Sequence, residues 1–199
     1  MTVATEIWPI AVERRMTLEE YLDYDDGTDV CYELVDGILV EMGAENPTNN
    51  VIASFLFSIF LGMGIPYYRL IIGHQVGVGE ASSRQPDFMV HTEDSLAATL
   101  ADRILLPRQP NPMLVVEVVS NSKSDKESRE RDYVDKRSEY AARSIPEYWI
   151  IDPVKEVVLI LSLQVDRYVD RVLVGDDKVV SPTFLGLNLT AVQILSAGR

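Results

Sequence analysis

A single cysteine, Cys31, stands among the 199 residues. Its solitude excludes an intramolecular disulfide and any cysteine-based zinc cage, and it fits a reducing cytosol. Histidine occurs only at His74 and His91, too few and too far apart for a His-rich metal site. Positive charge is scarce as well. The chain carries 18 Lys+Arg against 31 Asp+Glu, a net charge of −13, which argues against a generic nucleic-acid coat that binds by neutralising phosphates. The start, MTVATEIWPIAVERRM, lacks the basic region and apolar run of a secretory leader. The longest uncharged stretch, between Asn46 and Arg69, is interrupted by Asn, Ser, Gly and Pro, and reads as a buried helix rather than a membrane span. Ser120 has no Gly-x-Ser-x-Gly elbow around it. Gly73 to Gly79 has no following helix with a Lys-Ser/Thr pair, so it is not a phosphate-cradling loop. Internal repeats, low-complexity runs and interdomain linkers are also missing.

What is present reads as one domain with a mixed sheet. Thr17-Leu18-Glu19-Glu20 is a capping-box start for a short helix to about Asp25. Cys31–Val35, Asp36-Gly37 and Ile38–Met42 form a hairpin with the strongest two-residue turn signal. An apolar helix from about Thr48 to Gly62 has no polar face, which predicts extensive burial. Strands are expected at Tyr68–Ile72, Gln75–Val78 and Pro86–Val90, and Thr92 to Pro112 reads as an irregular excursion with one helical turn at its start. Leu114–Val119 is a central strand, Lys123–Arg143 a long polar helix ended by Ile145-Pro146, and Glu147–Asp152 the next buried strand. That strand–helix–strand unit is a crossover, which makes its two strands parallel. Val157–Leu163 and Arg167–Val174 close the sheet as an antiparallel pair, and Phe184–Leu189 packs back on it.

Charge is unevenly spread. Residues 1–45 carry 12 Asp+Glu against Arg14 and Arg15 alone, whereas residues 123–143 carry seven Lys+Arg against six acids. The second segment suits either a solvated helix laced with i,i+4 pairs or a binding face.

The most informative feature is a carboxylate inside an apolar strand, repeated three times: Glu33, Asp87 in Pro86–Val90, and Glu117 in Met113–Val119. Desolvating a carboxylate costs several kcal/mol or more unless it is paired. A metal site, an ion pair and an acid/base pair all meet that demand. Carboxylate clusters suit Mg²⁺ or Mn²⁺, hard cations that take oxygen ligands and retain waters; two acids at a sheet edge leave room for a phosphate and an attacking water. The helix after Glu117 offers a cation. If Tyr133 and Tyr140 mark its apolar stripe, Lys136 lies between them at i+3 and i−4 on the same face, with Arg137 on the other flank. A lysine so placed either meets the carboxylates or snorkels out.

These residues resemble a known pattern. Gln85-Pro86-Asp87, followed about thirty positions on by Val115-Val116-Glu117-Val118-Val119-Ser120, is similar to the PD-(D/E)XK nuclease superfamily. With Tyr32–Gly37, Lys136–Tyr140 and Ile145-Pro146-Glu147-Tyr148-Trp149-Ile150-Ile151-Asp152-Pro153, the chain resembles more closely the bacterial Uma-two family of restriction endonucleases, over nearly its whole length and in the right order. The resemblance implies a single restriction-endonuclease-like domain over 1–199, an α/β (α+β mixed sheet) fold with helices flanking a central mixed β-sheet. It implies Asp87 and Glu117 as metal ligands for Mg²⁺ (or Mn²⁺), Glu33 as an additional acid, and Lys136 as the catalytic lysine. Position 119 departs from the superfamily pattern, being Val where Lys would stand; in the Uma-two family the lysine comes from the following helix, where Lys136 stands. A second departure is Asn49-Asn50, where relatives often carry His.

Two functions from different classes follow. The first is a cytoplasmic, Mg²⁺-dependent endonuclease that hydrolyses DNA, with Arg84 and the basic helix as phosphate contacts; double-strand cutting would favour a homodimer. The second is an inactive nuclease fold kept as a protein-interaction module, which the −13 charge and Val119 favour. Glycoside hydrolysis, which also uses paired carboxylates, is a poor third without an aromatic sugar-binding surface.

Overall fold

A computed structural model describes residues 15–43, 46–102, 104–120 and 130–197. Two sheets organise them. The smaller has four strands, in the order Ile38–Glu41, Tyr32–Val35, Ser82–Arg84, Val76–Gly79, and the larger six, in the order Arg167–Leu173, Val157–Gln164, Glu147–Asp152, Leu114–Val118, Phe88–Val90, Leu70–Ile72. The fold class is therefore the expected mixed α/β, with the strands divided between two sheets rather than gathered in one.

The chain enters through helix α1 (Leu18–Leu22), where Thr17 and Glu20 close the capping box the sequence announces. Strands β1 (Tyr32–Val35) and β2 (Ile38–Glu41) follow, joined at Asp36 (φ 48°) and Gly37 (φ 82°). Two consecutive left-handed residues match the right-handed twist of a hairpin. Gly37 is further constrained, because a Cβ there would stand 2.6 Å from the Arg15 Cβ. Helix α2 (Pro47–Gly62) begins at the Asn46 cap, whose side chain accepts from the Thr48 N–H. Only one face of α2 is buried, through Ile52, Ala53, Leu56 and Phe60; Val51 and Leu61 are exposed despite their apolarity, so burial is less extensive than expected.

Then come β3 (Leu70–Ile72), β4 (Val76–Gly79), β5 (Ser82–Arg84) and β6 (Phe88–Val90). Helix α3 (Glu93–Asp102) extends the single helical turn expected after Thr92 to 10 residues. Thr92 and Ser95 begin it by reciprocal hydrogen bonds between side chain and backbone.

Strand β7 (Leu114–Val118) is buried at every position, as is β8 (Glu147–Asp152). They pair in parallel, Glu117 opposite Ile150, as the crossover reading requires. Strands buried on both faces are near-continuous apolar runs, which is why a carboxylate within one stands out. The connecting segment, described from residue 130, contains a π-helical turn (Arg131–Asp135) and then helix α4 (Lys136–Ala142). Strands β9 (Val157–Gln164) and β10 (Arg167–Leu173) and helix α5 (Ala191–Ser196) complete the chain.

The six-stranded sheet separates two cores. Phe88, Val116, Val118, Trp149 and Ile151 point to α2, α5 and Phe184. Met89, Val115, Val119, Tyr148 and Ile150 point the other way, to Tyr140 of α4 and Val76 of β4. Each large apolar side chain so buried contributes about 1.5–3 kcal/mol. Among the described residues, no helix is long and apolar enough to cross a membrane.

Candidate active site

Strand alternation decides which side chains meet. Phe88 pairs with Val116 in the antiparallel β6–β7 ladder, so Asp87, one residue earlier, comes level with Glu117, one residue later. Both alternate away from the Phe88 face and toward α4. The Asp87 Oδ2 accepts a hydrogen bond from the Val118 N–H at 2.6 Å, which fixes the carboxylate at the end of β7. Burial pushes the Asp87 carboxyl up to about 6, with the Val118 N–H and Lys136 pulling the other way.

Lys136 reaches this position from the first turn of α4. Its Nζ lies 2.8 Å from Glu117 Oε2 and 3.0 Å from Asp132 Oδ1, and its side chain is 6% exposed. Burial works against its charge, but Asp132 and Glu117 outweigh burial and hold its pKa above the ordinary lysine value. Burial likewise raises Glu117, against the pull of the Lys136 ammonium. Tyr140, four residues after Lys136, donates from its hydroxyl to Glu117 Oε1 at 2.8 Å. The lysine and tyrosine that share a helix stripe thus meet the same carboxylate.

Glu33 sits elsewhere in the arrangement. Its Oε1 accepts from the Gln85 N–H at 2.9 Å, and its Oε2 from Arg84 Nη1 at 3.2 Å. Burial works to raise it, but Lys136, the Gln85 N–H and Arg84 together hold its carboxyl below the usual range. Glu33 therefore anchors the Gln85–Asp87 segment. Among the described residues no three His, Cys, Asp or Glu side chains converge closely enough to hold a metal, so Glu33 does not join Asp87 and Glu117 as a third carboxylate.

Arg84 departs from the expectation of a phosphate contact. It is 1% exposed, and its guanidinium donates twice to Glu139 of α4, at 2.7 Å each, besides its bond to Glu33. The reason is geometric: β5 lies between β1 and β4, and Arg84 there ties the small sheet to α4. The basic segment is also less available than its composition suggests. Lys136 is buried, Arg143 is buried and donates to the Gly77 and Leu106 carbonyls, and Arg137 pairs with Asp170 at 2.8 Å. The part of that segment at 123–129 lies outside the described residues.

His91 is fully buried at the far end of β6, its Nδ1 3.1 Å from Ser95 Oγ, and burial lowers its pKa to about 4. His74 lies in the connection between β3 and β4, next to Gly73, whose N–H donates to the Asp87 carbonyl at 3.3 Å.

Three contributors were not visible in the sequence pattern. Asp132 is 4% exposed and holds Lys136 from the preceding π turn; such turns often mark functional positions. Tyr140 was legible as core but not as a donor to Glu117. Asn49, noted only as a departure, stands against the site: its Nδ2 donates to the Val118 carbonyl at 2.7 Å and lies 3.5 Å from Asp87 Oδ1.

A nuclease-like α/β fold, with acids on adjacent strands and a buried lysine from the crossover helix, defines the class. The chain belongs to the Uma2 (Uma-two) family, described as "Putative restriction endonuclease", which it matches over residues 18–192. A solved structure, that of "a putative nuclease belonging to DUF820" from Anabaena variabilis, superposes with a TM-score of 0.69 at 19% identity, covering 92% of this chain and 99% of that one. At that identity the likeness speaks for the fold alone. None of the curated proteins matches.

Proposed function

We propose that this protein is a divalent-cation-dependent endonuclease that hydrolyses DNA phosphodiester bonds, acting as a single domain over 1–199. The observation that carries this reading is the 2.8 Å contact between Lys136 Nζ and Glu117, on a strand whose neighbour brings Asp87 level with it. Family membership supports the nuclease class.

The donor set fits Mg²⁺ or Mn²⁺. Asp87 and Glu117 are hard oxygen ligands, and such ions are commonly held by one or two carboxylates plus waters and substrate phosphate. A bound cation of this kind supplies Lewis acidity to the scissile phosphate and to the water that attacks it. Asp87, held on the Val118 N–H, would present its other oxygen to the ion. Glu117 would exchange its bond to Lys136 for the same purpose. Asp132 keeps Lys136 charged and in place when Glu117 turns, leaving the ammonium to orient water and offset the charge that develops on phosphate. Glu33 assists by holding the segment that carries Asp87.

The test is cleavage of supercoiled plasmid and of single- and double-stranded oligonucleotides, with Mn²⁺, Mg²⁺ or chelator. Wild type and Asp87→Ala are run together. Cutting that needs metal and disappears in the variant is the expected result. No cutting, with no Mn²⁺ binding by calorimetry, overturns it and leaves the interaction module, which the −13 charge favours.

A further inference from the structure

We propose that the side-chain oxygen of Asn49 is a third protein ligand for the divalent cation, completing a set that has only two carboxylates. The inference rests on the nuclease reading above and names a residue that reading does not include.

Asn49 is 8% exposed, in the first turn of α2. Which way its amide faces is settled by its neighbours. The group 2.7 Å away is the Val118 carbonyl, an acceptor, so the nitrogen must face it; the flipped amide would set oxygen against oxygen. The oxygen is then directed elsewhere, and Asn49 Oδ1 is buried with no hydrogen-bond partner. A buried carbonyl with no donor forfeits its hydration without compensation, and native structures rarely keep one unless something else meets it. The same amide's nitrogen is 3.5 Å from Asp87 Oδ1, so the orphan oxygen belongs to a group lying against the proposed metal ligand. His91 Nε2 is another buried atom without a partner, but it sits at the opposite end of β6.

The donors around the site make a cation the matching ligand. An amide oxygen is a hard, neutral donor of the kind Mg²⁺, Mn²⁺ and Ca²⁺ accept. Glu33 cannot supply the missing oxygen, because both of its own are spent on Arg84 and Gln85. Asn49 approaches from α2, on the other side of the six-stranded sheet from Lys136, so the two reach the carboxylates from opposite directions.

The experiment is Mn²⁺ titration of the full chain by calorimetry, with the rise in melting temperature on adding Mn²⁺ as a second readout. Wild type, Asn49→Ala, Asn49→Asp and Asp87→Ala are compared, and melting in chelator verifies that each is folded. Asn49→Ala is expected to weaken Mn²⁺ binding by about tenfold or more, the scale seen for supporting residues at metal sites. Asn49→Asp keeps an oxygen and loses the N–H donor to Val118. It should bind Mn²⁺ at least as tightly as wild type and show an equal or larger metal-induced melting shift. If Asn49→Asp is as weak as Asn49→Ala, the amide serves only the Val118 carbonyl and the inference falls. Wild-type affinity in both variants, with binding lost in Asp87→Ala, overturns it while the nuclease reading stands. An absence of Mn²⁺ binding by wild type removes both. Should Asn49→Ala not fold, the Asn49→Asp arm decides alone.

Discussion

Two buried glutamates on neighbouring parallel strands show how differently the fold treats the same side chain. Glu147, at the start of β8, is fully buried, and its carboxylate accepts from Trp149 Nε1 at 2.6 Å, Ser181 Oγ at 2.8 Å and the Thr183 N–H at 3.3 Å. Its three donors are neutral, and they fasten the 181–184 segment to the sheet. Glu117, near the end of β7, is 3% exposed and meets Lys136 and Tyr140, beside the half-buried Asp87. A carboxylate closed in by neutral donors is a clamp. One held by an ammonium that a second acid also holds can change partner. Glu117 lies at the carboxyl end of its strand, where open sheets commonly place ligands.

The sharpest way to break this comparison is Glu117→Gln. It is expected to reduce metal-dependent cleavage by at least about a thousandfold, the scale on which charge stabilisation in a transition state acts, while melting shows the fold retained. Lys136→Met should lower cleavage by about a hundred- to a thousandfold. It should also destabilise the protein by about 3–5 kcal/mol, because it leaves Glu117 and Asp132 buried without their cation; urea unfolding measures that second effect.

Glu147→Gln sharpens the other side. The amide sets an N–H against donors that now face oxygen, so about 2 kcal/mol of stability is lost, with cleavage per folded molecule unchanged. The smallest effect on stability is expected at Asp87. Its pKa is raised from 3.8 to about 6, so its contribution to stability is fully present below pH 3.8 and is lost as the pH rises through 6. At pH 7 the charged form therefore costs stability, and Asp87→Asn should stabilise the metal-free protein by about 1–2 kcal/mol after allowing for solvent screening. That gain, read from melting between pH 4 and 8, should vanish toward pH 4. Stability gained by removing a functional group is the usual sign of a site.

Much of this was legible in the sequence because its signals were local. Asp36-Gly37 dictates a two-residue turn, Thr17-x-x-Glu20 a helix start, and an interrupted apolar run the buried acids. Lys136 could be placed against them because helix periodicity is rigid. Helix α5 carries the same kind of signal, Thr190-x-x-Gln193, whose capping box forms in the structure. Strand β5 was not legible: Ser82-Ser83-Arg84 has no apolar pattern and is a strand because β1 and β4 flank it. For the same reason Arg84 read as a surface cation, when its partners Glu33 and Glu139 are 51 and 55 residues away in sequence. Asp132 and Lys136 stand at the i,i+4 spacing of the expected solvated pairs, but the π turn and the burial of the pair are not written in the local sequence.

The most direct test of the account sets Glu117→Gln beside Glu147→Gln in a Mn²⁺-dependent plasmid cleavage assay, each scaled to its folded fraction. Glu147→Gln is expected to cut as wild type does, and Glu117→Gln to show no cutting. Equal cutting by the two variants, or undiminished cutting by Glu117→Gln, would contradict it.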